Sequence, residues 1–350
     1  MIHIVGNFDE KIFGLTPAER LQRQAPSPGA SIVADAAAIL DEHALQWLAD
    51  NPGKILATAS GERLAVATDP AKIEQAAKVL QSDSSDFSVV TCDAIGERFT
   101  RKLRRRSGVL AISARETSAK GAERLLFASV YKGITDLVTK WVWPVPAFHA
   151  TKAAARVGLH PNHISFAGLA LTVIAGWLFF VGDLWAALAA AWAMTFLDTV
   201  DGKLARVTFT SSRFGNWLDH GNDVIHPPLW WLCLAHGLVL GNPASSGPIW
   251  LACAVILGSY VVARVVEVSF HLVFGFNAFL FRPFDTKFRL VVARRNILLL
   301  IMTLGGLAGE WVGAFLICAA WSLVSTVIQA VRIGQAWLKS RKHPLEPCLA

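Results

Sequence analysis

Charge is what this chain has least of. Only 17% of its 350 residues are Asp, Glu, Lys or Arg, where a soluble domain of this length usually carries about 25%. The shortfall is uneven. The first 160 residues have an ordinary polar composition, whereas almost everything from Ile164 to Ile333 is apolar. That excludes a single soluble globule and predicts a soluble segment followed by a membrane body. Paired cysteines are lacking too. Cys92, Cys233, Cys253, Cys318 and Cys348 are scattered, none forms a CxxC pair and three lie inside apolar runs, which excludes a disulfide framework and a cysteine zinc site. The amino-terminal MIHIVGNFDEKIFG has no basic stretch leading into an apolar core. No cleaved signal peptide is expected, and the soluble part is expected to stay in the cytoplasm. The formal net charge of +7 does not point to nucleic acid, because the basic residues gather beside the apolar runs. There, anionic lipid and the cytoplasmic face are the simpler partners.

What is present reads, over residues 1–125, as a small cytoplasmic α/β domain of unknown role. Thr16-Pro17-Ala18-Glu19 resembles a helix start, with proline at the first helical position and an acid in the first turn. The pattern predicts a helix from Ala34 to Leu48, ending before Asn51-Pro52-Gly53, and a hairpin of Ile55–Ala57 with Leu64–Ala67 around Gly61-Glu62. A helix from Pro70 and a strand at Phe87–Thr91 follow. The basic run Arg101 to Arg106 admits two readings, a solvated helix face or contact with anionic headgroups. Residues 126–160 read as a linker with an interfacial helix. A helix is expected over 121–142, and Trp141 to Phe148 is rich in tryptophan and broken by proline, as an interfacial anchor is. An amphipathic helix over Ala147–Val157 would lie on the membrane surface with Lys152 and Arg156 on its wet side.

The apolar body, 161–335, divides into spans at 164–182, 184–206, 214–240, 248–270, 290–309 and 311–333, before a basic tail at 336–350. Each span is near the roughly 20 residues that cross a bilayer. Gly182-Asp183, Gly241–Gly247 and Gly305–Gly309 contain no Lys or Arg, whereas Arg206–Arg213, Arg282–Arg295 and Lys339–Lys342 are basic. By the positive-inside rule this alternation predicts six transmembrane helices with both termini cytoplasmic, in the inner membrane.

Four aspartates fall inside or at the ends of these spans: Asp198, Asp201, Asp219 and Asp223. A lone carboxylate in hydrocarbon is costly, so such residues usually face a cavity and do work. Spacings of three and four place each pair on one helix face, with Gly215 on the second stripe. The two spans are consecutive and joined by a short loop, so they are antiparallel neighbours able to set four carboxylates around one point. Four converging carboxylates repel unless cations neutralise them. Two divalent metals would do so, and oxygen ligands without His or Cys suit Mg²⁺, Mn²⁺ or Ca²⁺ better than zinc. Metals a few Å apart are suited to phosphoryl chemistry.

The stretch Asp198-x-x-Asp201-Gly202-x-x-Ala205-Arg206, eight residues, then Gly215-x-x-x-Asp219-x-x-x-Asp223 resembles, at all eight positions, the signature of the CDP-alcohol phosphotransferase family. The resemblance covers about residues 145–335 and the six-span count fits it. It implies that the four aspartates bind two divalent cations, Mg²⁺ or Mn²⁺, and that Asp223 is the general base on the acceptor hydroxyl. It implies that Gly202, Ala205 and Gly215 leave room for the cytidine phosphates and that Arg206 sits by the nucleotide. Pro161-Asn162-His163-Ile164-Ser165 looks like the family's Pro-Asn-x-x-Thr lead-in to the first span. There Asn162 is either a nucleotide contact or a helix cap. The implied reaction is transfer of a phosphoalcohol, in the first place phosphatidyl, from a CDP-activated donor to a hydroxyl acceptor with release of CMP, in phospholipid biosynthesis. A homodimer is implied as well.

Arg264, Arg282, Arg289, Arg294 and Arg295 lie near the cytoplasmic ends of the later spans. Arg264, Arg294 and Arg295 are the candidates for holding an anionic acceptor, against a plain role in orientation and headgroup contact. Glu267, three residues beyond Arg264, offers an ion-pair partner. His220 and His226 flank the acidic stripe and are expected to be hydrogen-bonded there. Gly14 to Leu21 distantly resembles the start of a nucleotidyltransferase domain, which some family members carry fused. The Gly-x-Gly loop for a triphosphate is absent, so a degenerate relative and an unrelated docking domain both stay open. Two other readings use the same aspartates. A metal transporter would not require the glycines, alanine and arginine at these spacings and often shows internal repeats. An intramembrane prenyltransferase would separate its acidic motifs into distant spans.

Overall fold

The computed structural model describes residues 1–24, 31–81, 87–101, 103–341 and 343–349, with the side chains of residues 213, 214, 216 and 218–220 outside that description. The chain divides into two compact units. One comprises Met1–Tyr131, Thr151–Leu159 and Lys203–Thr210, the other Lys132–Ala150, His160–Gly202 and Ser211–Ala350.

The first unit runs β1 (Ile2–Val5), α1 (Pro17–Arg23), β2 (Ser31–Asp35), β3 (Ala38–Leu40), α2 (Glu42–Asp50), β4 (Lys54–Ala57), β5 (Arg63–Thr68), α3 (Ile73–Gln81), β6 (Ser88–Thr91), β7 (Arg98–Thr100), β8 (Arg105–Ser107), β9 (Ala111–Ser113) and α4 (Ala119–Ser129). Its main sheet has the order β1-β2-β5-β4-β6, parallel at β1/β2 and β4/β6 and antiparallel between. Side chains alternate across a strand, and both faces here are covered. Ile32, Ala34, Leu56 and Leu64 pack with Leu21, Leu45 and Leu48 from α1 and α2, while Val33, Ile55 and Val66 pack with Ala76 and Val79 of α3. Thr16 opens α1 with a reciprocal cap, accepting from Glu19 N at 3.2 Å while Glu19 Oε2 accepts from Thr16 N at 2.8 Å. The hairpin expected at Gly61-Glu62 is present as β4 and β5.

Two expectations for the chain before the apolar body need correction. The helix expected from Ala34 begins only at Glu42. Asp35 accepts from Ala37 N at 2.8 Å and turns the chain, Ala38–Leu40 pairs with Ala111–Ser113, and Asp41 then caps α2 through Ala44 N at 2.8 Å. Burial of the alanine run in a strand pair overrides its helix propensity. The helix expected over 121–142 is interrupted: α4 ends at Ser129, and a π-helical turn occupies Val138–Val142. The π turn starts where Asp136 accepts from Thr139 N at 3.0 Å.

The remaining helices are α5 (Pro144–Arg156), α6 (Pro161–Val181), α7 (Leu184–Thr208), α8 (Arg213–Gly241), α9 (Ser246–Phe274), α10 (Pro283–Phe288), α11 (Arg295–Leu307) and α12 (Trp311–Ser340). Among the described residues four stretches are long and apolar enough to cross a membrane: Pro161–Val181, Gly221–Gly241, Pro243–Phe274 and Trp311–Ser340. Helix α7 is 25 residues long but contains Asp198 and Asp201, and α11 has only 13 residues. Within the second unit α9 packs along α12, α6 along α8, α11 against α12 and α8 beside α9. Their seam is apolar, with Phe179, Trp230, Trp231, Leu234, Met302 and Phe315 at its centre. Val173, Trp177, Leu251, Val265 and Leu272 point outward and exposed, the surface a bilayer would cover.

The α6–α8 pairing depends on one close approach. A Cβ on Gly237 would run into the carbonyl oxygen of Phe179 and lie 3.0 Å from Gly182 Cα. Small residues allow such backbone contact between membrane helices. Gly237→Val is therefore expected to destabilise the helix pair by about 1–3 kcal/mol, the usual scale of overpacking. Thermal unfolding in detergent would show it as a lowered midpoint, and an unchanged midpoint would refute the close contact.

Candidate active site

The acidic motif folds as two consecutive helices. Asp198 and Asp201 lie on α7 and Asp223 on α8, with residues 209–212 between the helices. Ser212 starts α8, its Oγ accepting from Gly215 N at 2.9 Å. Asp198 and Asp201 line a small cleft with Ser165, Gly168, Leu169, Met194 and Asn222. Asp201 is buried, and the Ser165 hydroxyl donates to its Oδ2 at 2.6 Å, the short distance of a hydrogen bond to a charged acceptor.

The centre of the site is Arg295, the first residue of α11. Its Nη2 donates to Asp198 Oδ2 at 2.5 Å and its Nη1 to Asp223 Oδ1 at 3.1 Å. One planar guanidinium thus joins a carboxylate from each motif helix, and five fixed donors suit it to that task. His226 completes the group. Its Nδ1 lies 2.6 Å from the Asn222 carbonyl, so Nδ1–H donates there and Nε2 is left to accept from Arg295 Nη1 at 3.4 Å. The expected hydrogen-bonded role of His226 is what the structure shows. Asn222 also donates to Thr172 Oγ1 at 3.4 Å, and Trp230 Nε1 donates to the Thr172 carbonyl at 2.9 Å, tying this part of α8 to α6.

Arg295 is aimed by its neighbours. Arg294 is ion-paired with Glu267 on α9, which also holds Arg264 at 3.3 Å. Asn296 Nδ2 donates to Asp136 Oδ1 at 3.0 Å and to Thr139 Oγ1 at 3.2 Å. Burial raises the Asp136 carboxyl, but hydrogen bonds from Thr139 and Asn296, with Arg289 nearby, bring it below the usual carboxylate range. Three successive residues therefore have separate anchors, and the middle one faces the motif aspartates.

The other residues singled out by the sequence are placed as follows. Gly215 stands in the first turn of α8, where a Cβ would lie 2.8 Å from Asn162 Oδ1 and 3.0 Å from Ser212 Oγ. Asn162 is in the first turn of α6, whose cap is His160, Nδ1 accepting from Asn162 N at 3.2 Å. The Asn162 side chain instead accepts from the Ser212 hydroxyl at 3.3 Å. Gly202 follows Asp201 on α7, and Ala205 and Arg206 stand further along it, in the stretch belonging to the first unit. The side chains of Asp219 and His220 lie outside the described residues.

Among the described residues no three His, Cys, Asp or Glu side chains form a metal-holding group by themselves, and the fourth motif aspartate is not among them. The donor chemistry nevertheless fits a hard divalent cation. Two carboxylates, Asp198 and Asp201, open onto the cleft beside a hydroxyl, with no cysteine and no imidazole among its lining residues. A carboxylate accepts at two oxygens, so a bond from Arg295 to one of them is compatible with a cation on the other.

Residues 158–328 match the family model described as CDP-alcohol phosphatidyltransferase. An archaetidylinositol phosphate synthase of Pyrococcus horikoshii is 30% identical over 112 residues, which is 32% of this chain and 56% of that protein. The chain thus spans little more than half the length of that curated relative. Two crystal structures of Mycobacterium tuberculosis phosphatidylinositol phosphate synthase are also similar. One, with CDP-DAG bound, is 19% identical with a TM-score of 0.43, over 53% of this chain and 92% of that one. The other, with manganese and citrate, is 20% identical with a TM-score of 0.42, over 54% and 88%.

Proposed function

We propose, from the match of residues 158–328 to the CDP-alcohol phosphatidyltransferase family model, that the chain transfers a phosphatidyl group from a CDP-activated lipid to a hydroxyl acceptor, releasing CMP. The observation that carries this reading is the gathering of Asp198 and Asp223, one from each motif helix, around the Arg295 guanidinium, with Asp201 beside them in the cleft. Asp223 is the most exposed of the three, its side chain 50% accessible against 28% for Asp198. That exposure supports Asp223 as the acceptor of the proton of an incoming hydroxyl, whose oxygen attacks the β-phosphorus as CMP leaves. Asp198, Asp201, Asp219 and Asp223 would hold two divalent cations, Mg²⁺ or Mn²⁺. When bound, these supply neutralisation of the pyrophosphate and of the charge developing on the leaving oxygen. Arg295 fixes Asp198 and Asp223 in place and offsets part of their mutual repulsion.

Gly202, Ala205, Arg206, Gly215 and Asn162 are assigned to the CDP group. Arg264 and Arg294, with Arg295, are assigned to an anionic acceptor. Glu267 neutralises part of their charge but leaves Arg264 and Arg294 about one-third and one-quarter accessible, enough to meet a phosphate. An inositol phosphate is the first acceptor to try, since the P. horikoshii relative is named for one. In this reading α7 and α11 join the four apolar stretches to make six spans, with both termini and the site on the cytoplasmic face, and the protein works as a homodimer.

The test is CMP release by the purified chain in detergent with CDP-diacylglycerol, Mn²⁺ or Mg²⁺, and a panel of alcohols that includes myo-inositol 1-phosphate. Acceptor-dependent CMP release is expected, and chelation by EDTA should reduce it by at least about a hundredfold, with recovery on adding Mn²⁺. Release that survives chelation would overturn the cation assignment. No release with any acceptor, nor with a CDP-alcohol and a lipid acceptor, would overturn the transferase reading.

A further inference from the structure

Helix α8 carries two consecutive prolines in its interior, Pro227 and Pro228. A proline has no N–H to donate, and its ring crowds the carbonyl four residues back. The two carbonyls that lose their helical donor are those of Asp223 and Val224. A backbone carbonyl left without a donor is costly inside a membrane protein, so one is usually supplied from a neighbouring helix. Here Tyr260 of α9 supplies it. Its hydroxyl donates to the Val224 carbonyl at 2.9 Å and lies 3.4 Å from that of Asp223. Tyrosine is not the default aromatic of this chain, which has 2 tyrosines against 20 phenylalanines. The ring is itself held from one side by the Arg264 guanidinium, 5.5 Å from its centroid, and Arg264 is fixed by Glu267.

We propose that Tyr260 is a positioning residue for Asp223, its one hydroxyl donor standing in at the Val224 carbonyl for the N–H that Pro228 lacks and lying beside the Asp223 carbonyl that Pro227 leaves without its helical donor. Helix α8 runs on through both prolines, but its ladder lacks two donors next to the Asp223 turn, and the tyrosine pins that turn from outside the helix. The proposal rests on the reading of Asp223 as the proton acceptor given above. It also explains why two prolines are tolerated next to a carboxylate that must be aimed accurately, since displacement of a reacting group by about 1 Å can cost on the order of a hundredfold in rate.

The experiment compares Tyr260→Phe in two backgrounds, the wild-type chain and Pro227→Ala/Pro228→Ala, in which α8 regains its own donors. Kinetics use CDP-diacylglycerol with the acceptor that supports CMP release. Mn²⁺ binding to the resting protein is read independently from the electron paramagnetic resonance signal of the free ion. In the wild-type background Tyr260→Phe should lower kcat about tenfold while KM for both substrates stays within about twofold. Mn²⁺ binding should weaken about tenfold, as for loss of a group that orients a metal ligand. In the proline-free background the same substitution should change either readout by less than about twofold. Tyr260→Phe indistinguishable from wild type in both readouts would overturn the proposal, and so would an equal loss in both backgrounds. Should the proline-free variant not fold, the kinetic and binding readouts of Tyr260→Phe decide alone. A wild-type chain that binds Mn²⁺ but releases no CMP would count against the transferase reading, leaving the binding comparison to judge Tyr260.

Discussion

Asp223→Asn is expected to lower CMP release by at least about a thousandfold while leaving the protein folded. A positioned general base contributes about 10²–10⁴ in rate, and loss of a cation-holding oxygen adds to that. Asparagine has the shape of aspartate, so the packing of α8 is not disturbed. The Asp223 side chain is half exposed, so no cavity is opened. Arg295, buried far more deeply at 16%, keeps Asp198 at 2.5 Å as its charged partner. The guanidinium is therefore not left as an uncompensated buried charge, the situation in which breaking an ion pair destabilises strongly. The measurement is kcat for CMP release beside the thermal unfolding midpoint. Activity within about tenfold of wild type would remove Asp223 from the base role, since no backbone group could replace a proton acceptor at that position. A collapse of both activity and midpoint would instead mean that the carboxylate is needed for folding, which its exposure argues against.

Much of this site could be read from the sequence because its logic is helical. A spacing of three puts Asp198 and Asp201 on one face of α7, where both line the cleft, while the expected pairing of Asp219 with Asp223 lies outside the described residues. Most apolar runs correspond to helices near the expected limits, 184–206 expected and Leu184–Thr208 found, whereas the run expected at 290–309 is helical only over Arg295–Leu307. Arg295 was harder to place. As one of five arginines near helix ends it had the profile of an acceptor or headgroup contact, and only the fold shows it bonded to an aspartate 72 residues earlier. Periodicity reveals which residues share a face, but it does not say which face meets which. The same limit hid Asp136, which lies before the spans yet anchors Asn296. Tyr260 was hidden too, although half of its signal was visible: a proline pair in a span names the carbonyls that need a donor, at 223 and 224, without naming the donor. The alanine run from Ala34 failed for another reason. Its propensity is helical, but Asp35 and Asp41 each form a local turn or cap through their side chains, and short polar side chains decide such boundaries where propensity is weak.

Gly215→Val should impair use of the CDP donor by about a hundredfold in kcat/KM, with Gly215→Ala near tenfold, the range spanned by about 1–3 kcal/mol of overpacking. The glycine is needed for space and not for conformation. Gly215 is absent from the residues with positive φ, so its backbone would accept any side chain. What it lacks is room, since an added Cβ would come within 2.8 Å of Asn162 Oδ1 and 3.0 Å of Ser212 Oγ. Those two atoms are bonded to each other at 3.3 Å, and Ser212 also accepts from Gly215 N at 2.9 Å. A side chain here must push apart the contact that ties the start of α8 to the start of α6. The Ser212 cap would weaken in consequence, a loss of about 0.5–2 kcal/mol in other helices. The proposed nucleotide surface is made of these same residues, so the defect should appear mainly in KM for CDP-diacylglycerol. Asn162→Ala, introduced together with Gly215→Ala, removes the closest obstacle and should recover part of the loss, although each change alone is harmful. That non-additivity is what contacting residues show. Wild-type kinetics for Gly215→Val would refute the crowding. A fall in kcat at constant KM would place the fault in the aim of the α8 aspartates, four and eight residues further along the same helix face, and would detach Gly215 from the nucleotide.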